Sequence, residues 1–213
     1  IPDKEIIHIA IESMGLNDIS PFSQNDSIVE NRIFESNNKL KNLNVHDFVN
    51  EVSSNSPAPG GGSVSALSGA LSAALVSMVS NLSYNKKGYQ KYNLIFEEIG
   101  SKSQDIKRKL INLIDKDTNA FNMIMEAFKK PKKTPEDILI RDELIKSATR
   151  NAIEVPLEIM KLSLDLLKLS KGILKKGNKN SLSDSGVASE MALSAIHGAY
   201  MNVLINLKDL EDI

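Results

Sequence analysis

Apolar residues recur every three or four positions along most of this chain, and no stretch shows the convincing period-two alternation of a half-buried strand. Pro2 near the start, Ile6, Ile7, Ile9, Ala10 and Met14 as the apolar set and Gly15 as a stop predict a first helix. Residues 16–43 are polar and rich in Asn and Ser, and read as a linker or irregular arm. Asn44 is placed to cap a short helix with Val45, Phe48, Val49 and Val52 as its face. A long pattern follows over residues 89–128, carried by Leu110, Ile114, Phe121, Ile124 and Phe128. In "KKPKKTPED", Thr134 caps, Pro135 takes the first helical position and the acids fill the first turn of another long helix. That helix reaches Lys176 but contains Pro156, which predicts a kink and a carbonyl at Ala152 without its helical partner. Gly177 ends it, and a last helix is expected over about 183–207 with Val187, Met191, Ile196, Val203 and Leu207 in the core. The pattern predicts an all-α protein, a bundle of long helices with no sheet.

Residues 57–83, "PAPGGGSVSALSGALSAALVSMVSNLS", carry no charge and reach the length of a membrane span. Seven serines dilute the hydrophobicity, and Val64, Leu67, Leu71, Leu75, Met78 and Leu82 form a one-sided stripe at spacings of three and four. A stripe of that kind suits a soluble helix whose other face is small, placed at a bundle centre or a subunit interface. The three glycines before it have two readings. They either let the chain turn tightly into the helix, or leave its first N–H groups open to a ligand. The lysine and hydroxyl of a nucleotide-binding P-loop are missing, so nucleoside triphosphate binding is not supported.

Charged and polar residues then stand where the pattern wants apolar ones. In the stripe Leu110, Ile114, Phe121, Ile124 and Phe128, position 117 is aspartate, whereas Asp115 points elsewhere. A carboxylate on an apolar stripe is partly desolvated, which raises its pKa towards the range of a general acid; the alternative is an aspartate bonded to a neighbouring helix. Asn202 and Asn206 share one face of the last helix and can either read a heterocycle or satisfy backbone in a tight bundle. Asp184 is placed to cap that helix. His8, His46 and His197 have no metal-ligand spacing. Three lysine clusters, "NKKGYQK", "KKPKK" and "LKKGNKN", fall at helix ends; they serve as solvated caps or, if they converge, attract a polyanionic substrate tail.

Composition narrows the classes further. With 213 residues the chain is large enough to fold without staples. The absence of cysteine removes disulfides and thiolate chemistry and fits a reducing compartment. Charges nearly cancel, 26 basic against 27 acidic, and aromatics are 5%, so nothing points to nucleic acid. No secretory signal precedes the first helix, and cytoplasmic residence is the expectation, without a membrane. Because the chain opens on Ile1 rather than Met, it reads as a processed product or part of a longer protein.

Four segments, "SPAPGGGSVSA", "LIDKDTNAFNMIMEAFKKPKKTPED", "NAIEVPLEIM" and "GNKNSLSDSGVASEMALSAIHGAYMNVLINLKDL", resemble the formiminotransferase-cyclodeaminase C-terminal family over about residues 43–212. "IESMGLNDISPFSQNDSIVENRI" resembles the end of a glutamate formiminotransferase domain. The resemblance implies an arm over residues 1–42, a helical domain over 43–213 that works as a homodimer, and a folate substrate, including polyglutamylated forms, bound near the subunit interface. It implies conversion of 5-formimidoyltetrahydrofolate to 5,10-methenyltetrahydrofolate with release of ammonia, a step of histidine degradation. The nearest alternatives are methenyltetrahydrofolate cyclohydrolase and a non-catalytic helical dimer partnering a transferase. By motif the family's catalytic acid falls on Asp117, and Gly60, Gly61, Gly62, Ser63, Asp184, Asn202 and Asn206 are assigned to the substrate. No metal and no tightly bound cofactor is expected. Members usually continue into a further helix after "INLKDL", where this chain stops, and a shortened dimer or pocket is the corresponding expectation.

Overall fold

The computed structural model describes residues 39–211 together with Ile11, Ser13 and Met14. Apart from those three residues, the expected first helix and the arm as far as residue 38 lie outside the described residues. The chain divides into two compact units, Ile1–Phe48 and Val49–Ile213.

In the first unit a short 3-10 turn, Leu40–Asn42, precedes α1, Val45–Val52, which runs across the boundary. Asn44 caps α1 as expected: its Oδ1 accepts from the Asp47 amide at 2.9 Å, and its Nδ2 donates to the Asp47 carboxylate at 2.7 Å. Of the expected apolar face only Phe48 is buried; Val45 and Val49 are exposed.

The second unit is built from four long helices: α2, Gly61–Ser83; α3, Asn93–Phe128; α4, Pro135–Lys176; and α5, Leu182–Glu211. Single 3-10 turns, Gln90–Tyr92 and Lys179–Ser181, lead into α3 and α5, and no strand occurs among the described residues. The α4 start is the capping box read from the sequence. Thr134 Oγ1 accepts from the Asp137 amide at 3.1 Å, and the Thr134 amide donates to Asp137 Oδ2 at 3.0 Å. The helix continues through Pro156 to Lys176.

α2 is the central helix and packs against α3, α4 and α5. By length and composition it could cross a membrane, yet 67% of its apolar window is buried inside the bundle. What it buries is its small face: Ser63, Ala66, Ser72, Ala73, Val76 and Val79 are almost fully enclosed. Several of its serine hydroxyls bond backbone carbonyls, whereas the buried Ser80 Oγ has no hydrogen-bond partner among the described residues. Ser68 Oγ donates to Met191 O at 2.9 Å, Ser72 Oγ to Ala188 O at 2.7 Å and Ser83 Oγ to Val79 O at 2.7 Å. The large stripe of Val64, Leu71, Met78 and Leu82 points outward, with Leu71 47% exposed.

The last helix repeats the inversion. Ala188, Ala192, Ala195, Ala199 and Val203 face the core, whereas Val187 and Leu207, expected there, are exposed. A methyl group on Gly198 would collide with Ser65 Oγ, so α2 and α5 approach too closely for large side chains between them. Close packing of small residues, with their polar atoms satisfied, outranks hydrophobicity at this contact. Large side chains fill the core farther along: Phe96, Leu110, Leu113, Ile159, Leu166 and Ile173 are fully buried, each worth about 1.5–3 kcal/mol of transfer free energy.

Candidate functional site

Where α2 begins, four pieces of chain enclose a cleft of about 210 Å³. Pro57, Ala58, Gly60, Gly61 and Gly62 form its rim, Asp117, Ala120, Phe121 and Ile124 come from α3, Ala152 from α4, and Asn202 and Asn206 from α5. The Ala58–Pro59 peptide in the rim is cis. Gly60 is the N-cap of α2 in extended conformation, with no side chain to occupy the first-turn N–H groups.

Asp117 is held by Ser63, the first hydroxyl of α2. Ser63 Oγ lies 3.0 Å from Asp117 Oδ2, 2.9 Å from the Ile114 carbonyl and 3.2 Å from Thr118 Oγ1. Burial raises the Asp117 carboxyl above the ordinary aspartate range, and hydrogen bonding from Ser63 opposes that rise without cancelling it. The glycine before Ser63 is required by the carboxylate itself, since a methyl group at Gly62 would occupy its space. The need there is close approach; no unusual backbone angle is involved.

The two asparagines face the same cleft, each spending one N–H on backbone. Asn202 Nδ2 donates to Gly198 O at 2.8 Å, and a Cβ added to Gly61 would stand 3.2 Å from that nitrogen. Asn206 Nδ2 donates to Ala152 O at 2.7 Å. That carbonyl is the one Pro156 deprives of its helical donor, so Asn206 repairs α4 as well as lining the cleft. Each amide retains an oxygen and a second N–H to offer a ligand.

Seven of the eight residues singled out from the sequence therefore gather at one place: Gly60, Gly61, Gly62, Asp117, Asn202 and Asn206 line the cleft, and Ser63 stands behind it. Asp184 does not join them. It lies in the first turn of α5, eighteen residues before Asn202, or about 27 Å along the helix axis. His197 is exposed on α5, and no cluster of three or more metal-ligating side chains occurs among the described residues. Pro57, Ala58, Ala120 and Thr118 were not foreseen, Ala152 only as a freed carbonyl, and Phe121 and Ile124 only as part of an apolar stripe. Ala120 could have been, because it follows Asp117 by three positions on the same helical face.

A carboxyl biased towards its protonated form, two amides and an apolar wall of Phe121 and Ile124 suit a flat, polar-edged heterocycle that needs a proton delivered. Over residues 44–213 the sequence matches the formiminotransferase-cyclodeaminase family. It is 37% identical to a methenyltetrahydrofolate cyclohydrolase of Methylorubrum extorquens over 171 residues, covering 80% of this chain and 82% of that one. It is 33% identical over 214 residues to the formimidoyltransferase-cyclodeaminase of Mus musculus, covering 100% of this chain but only 40% of that protein's length. Its fold matches the crystal structure of a formiminotetrahydrofolate cyclodeaminase from Thermotoga maritima with a TM-score of 0.73 at 30% identity, over 82% of this chain and 83% of the other. From its long-helix bundle to the match across α1–α5, this chain belongs to the formiminotransferase-cyclodeaminase family of folate one-carbon enzymes.

Proposed function

We propose that the chain catalyses ring closure of 5-formimidoyltetrahydrofolate to 5,10-methenyltetrahydrofolate with release of ammonia, the reaction of a cyclodeaminase in histidine degradation. The observation that carries this reading is Asp117, a carboxyl with a raised pKa held by Ser63 between a glycine helix start and two amides. N10 of the folate attacks the formimidoyl carbon and forms a tetrahedral intermediate. The proton on Asp117 passes to the amine nitrogen, the carbon–nitrogen bond breaks, and ammonia leaves. N10 gives up its own proton, and the product keeps a carbon bridging N5 and N10. Since nucleophile and carbon belong to one molecule, holding the pterin between Asn202, Asn206 and the Phe121 wall supplies much of the rate. No step of this scheme needs a metal or a redox cofactor.

A cleft of about 210 Å³ falls below the roughly 300–1,000 Å³ of self-sufficient small-molecule sites. Our reading is that a second copy completes it in a homodimer. The outward stripe of α2 supports this, because it starts at Val64, next to the residues that hold Asp117.

The cyclohydrolase reading, in which water opens the methenyl bridge, is favoured by the higher identity to the Methylorubrum enzyme, 37% against 33%. The cyclodeaminase reading is favoured by the arm: the bifunctional relative matches 100% of this chain, the cyclohydrolase 80%. Supplying each folate separately and following the near-ultraviolet methenyl absorbance decides between them. Appearance of the chromophore from the formimidoyl substrate supports deamination, and its decay from the methenyl substrate alone supports hydrolysis. No change with either substrate leaves a non-catalytic dimer. In Asp117→Asn, turnover should fall about 10²–10⁴-fold, as for loss of a general acid, with folate affinity retained; near-wild-type turnover would remove Asp117 from this role.

A further inference from the structure

Two of the three lysine clusters meet at the end of the bundle opposite the cleft. The Asn178 amide donates to Ser83 Oγ at 2.8 Å, which ties the α4–α5 turn to the last residue of α2. α2 has 23 residues, so this end lies about 34 Å from the glycine start. A cavity of about 530 Å³ opens here, lined on its polar side by Lys91, Lys175, Lys176 and Lys179 with Tyr89 and Tyr92. Lys91 Nζ stands 5.0 Å and Lys176 Nζ 5.6 Å from the centroid of the same Tyr92 ring. The two ammonium groups are therefore no more than about 11 Å apart, close enough for their fields to add at low salt. The Lys179 backbone amide donates to Tyr89 Oη at 3.2 Å, which ties the turn that carries Lys179 to the segment before α3.

No aspartate or glutamate lines this cavity, and none of its four lysines forms an ion pair among the described residues. A second lysine cleft on the molecule shows the contrast. There Lys102, Lys109 and Lys168 share the walls with Asp105 and Asp165, and Lys168 Nζ lies 2.8 Å from Asp165 Oδ1. Carboxylates offset most of the lysine charge in one cleft and none of it in the other.

We propose that the Lys91, Lys175, Lys176 and Lys179 cavity is a binding site for a small multivalent anion, distinct from the Asp117 cleft. Lysines act as point charges and lack the fork by which arginine selects carboxylates, so the site favours charge density, and a polyphosphate fits it better than an oligocarboxylate. The inference does not depend on the reaction proposed for the cleft.

Isothermal titration of the full chain with tripolyphosphate and, separately, with citrate tests the site at about 0.05 M and about 0.3 M salt. Saturable binding is expected, tighter for tripolyphosphate and weaker at the higher salt. Tighter binding of citrate would assign the site to carboxylate ligands and overturn the polyphosphate preference. The triple substitution Lys175→Gln, Lys176→Gln, Lys179→Gln and the single Lys91→Gln should each weaken binding, the triple by about tenfold or more. Lys102→Gln, Lys109→Gln, Lys168→Gln removes the same formal charge from the cleft that holds aspartates and should leave binding unchanged. Absence of saturable binding to the wild-type chain overturns the proposal. So does an equal loss in the control triple, which would mean that net charge alone is being read. Circular dichroism of each variant verifies that the helices are intact.

Discussion

At the scale of single residues, Asp117 is governed by what surrounds it. Burial raises its pKa, so the folded chain keeps a proton that the unfolded chain gives up first. That contribution to stability is fully present below the unfolded value of about 3.9 and is lost as pH rises through the folded value. Asp117→Asn removes the loss. The difference in Tm, variant minus wild type, should therefore become more positive between about pH 4 and about pH 8; a flat difference would mean that burial does not strain the carboxylate. Gly62→Ala tests position and leaves chemistry alone. Alanine suits a helix better than glycine by about 1 kcal/mol, so Tm should hold. The methyl group must push the carboxylate aside, and kcat should drop about a hundredfold in a turnover assay. The aspartate was legible in the sequence because it breaks an apolar stripe. Its partner Ser63 was legible only as part of the glycine segment, since a contact between positions 63 and 117 belongs to helix packing.

Within the helices, the most informative contact joins α5 to α4. Pro156 removes the donor for the Ala152 carbonyl, and Asn206 replaces it from 54 positions away. Asn206→Ala should cost about 1–3 kcal/mol in chemical denaturation, because a buried carbonyl loses its partner. In a Pro156→Ala background the helix recovers its own amide at position 156, and the same Asn206 substitution should cost at least about 1 kcal/mol less. Additive costs would mean that the two residues act independently. The proline and the freed carbonyl were readable in advance, and so was the asparagine as a polar residue on an inner face. Their pairing was not, because spacing along one helix carries no information about which neighbour lies across from it.

At the scale of the whole molecule, the four-helix unit buries small residues at its centre and turns large ones outward along α2 and α5. The homodimer proposed above follows from that surface. Leu71, at the middle of the α2 stripe, is the place to test it. Leu71→Asp should leave the helical circular dichroism signal in place while halving the mass seen in sedimentation equilibrium, and should lower turnover as the cleft loses its second wall. A monomeric wild type would refute the homodimer. By itself the sequence determined the long helices, the caps of α1 and α4, the all-α class and half of the residues that line the cleft. Periodicity, capping chemistry and proline geometry act within a few residues of each other, so all of these can be read locally. Only the tertiary structure decided which face of α2 and α5 turns inward. Hydrophobicity pointed to the leucine, valine and methionine stripes, but α2 and α5 approach until Ser65 meets Gly198, and only small side chains fit between them. It also carried Asp184 about 27 Å along α5 from the cleft and brought two lysine clusters together at the far end. Distance in space depends on how the helices cross, and no local pattern along the chain contains that crossing.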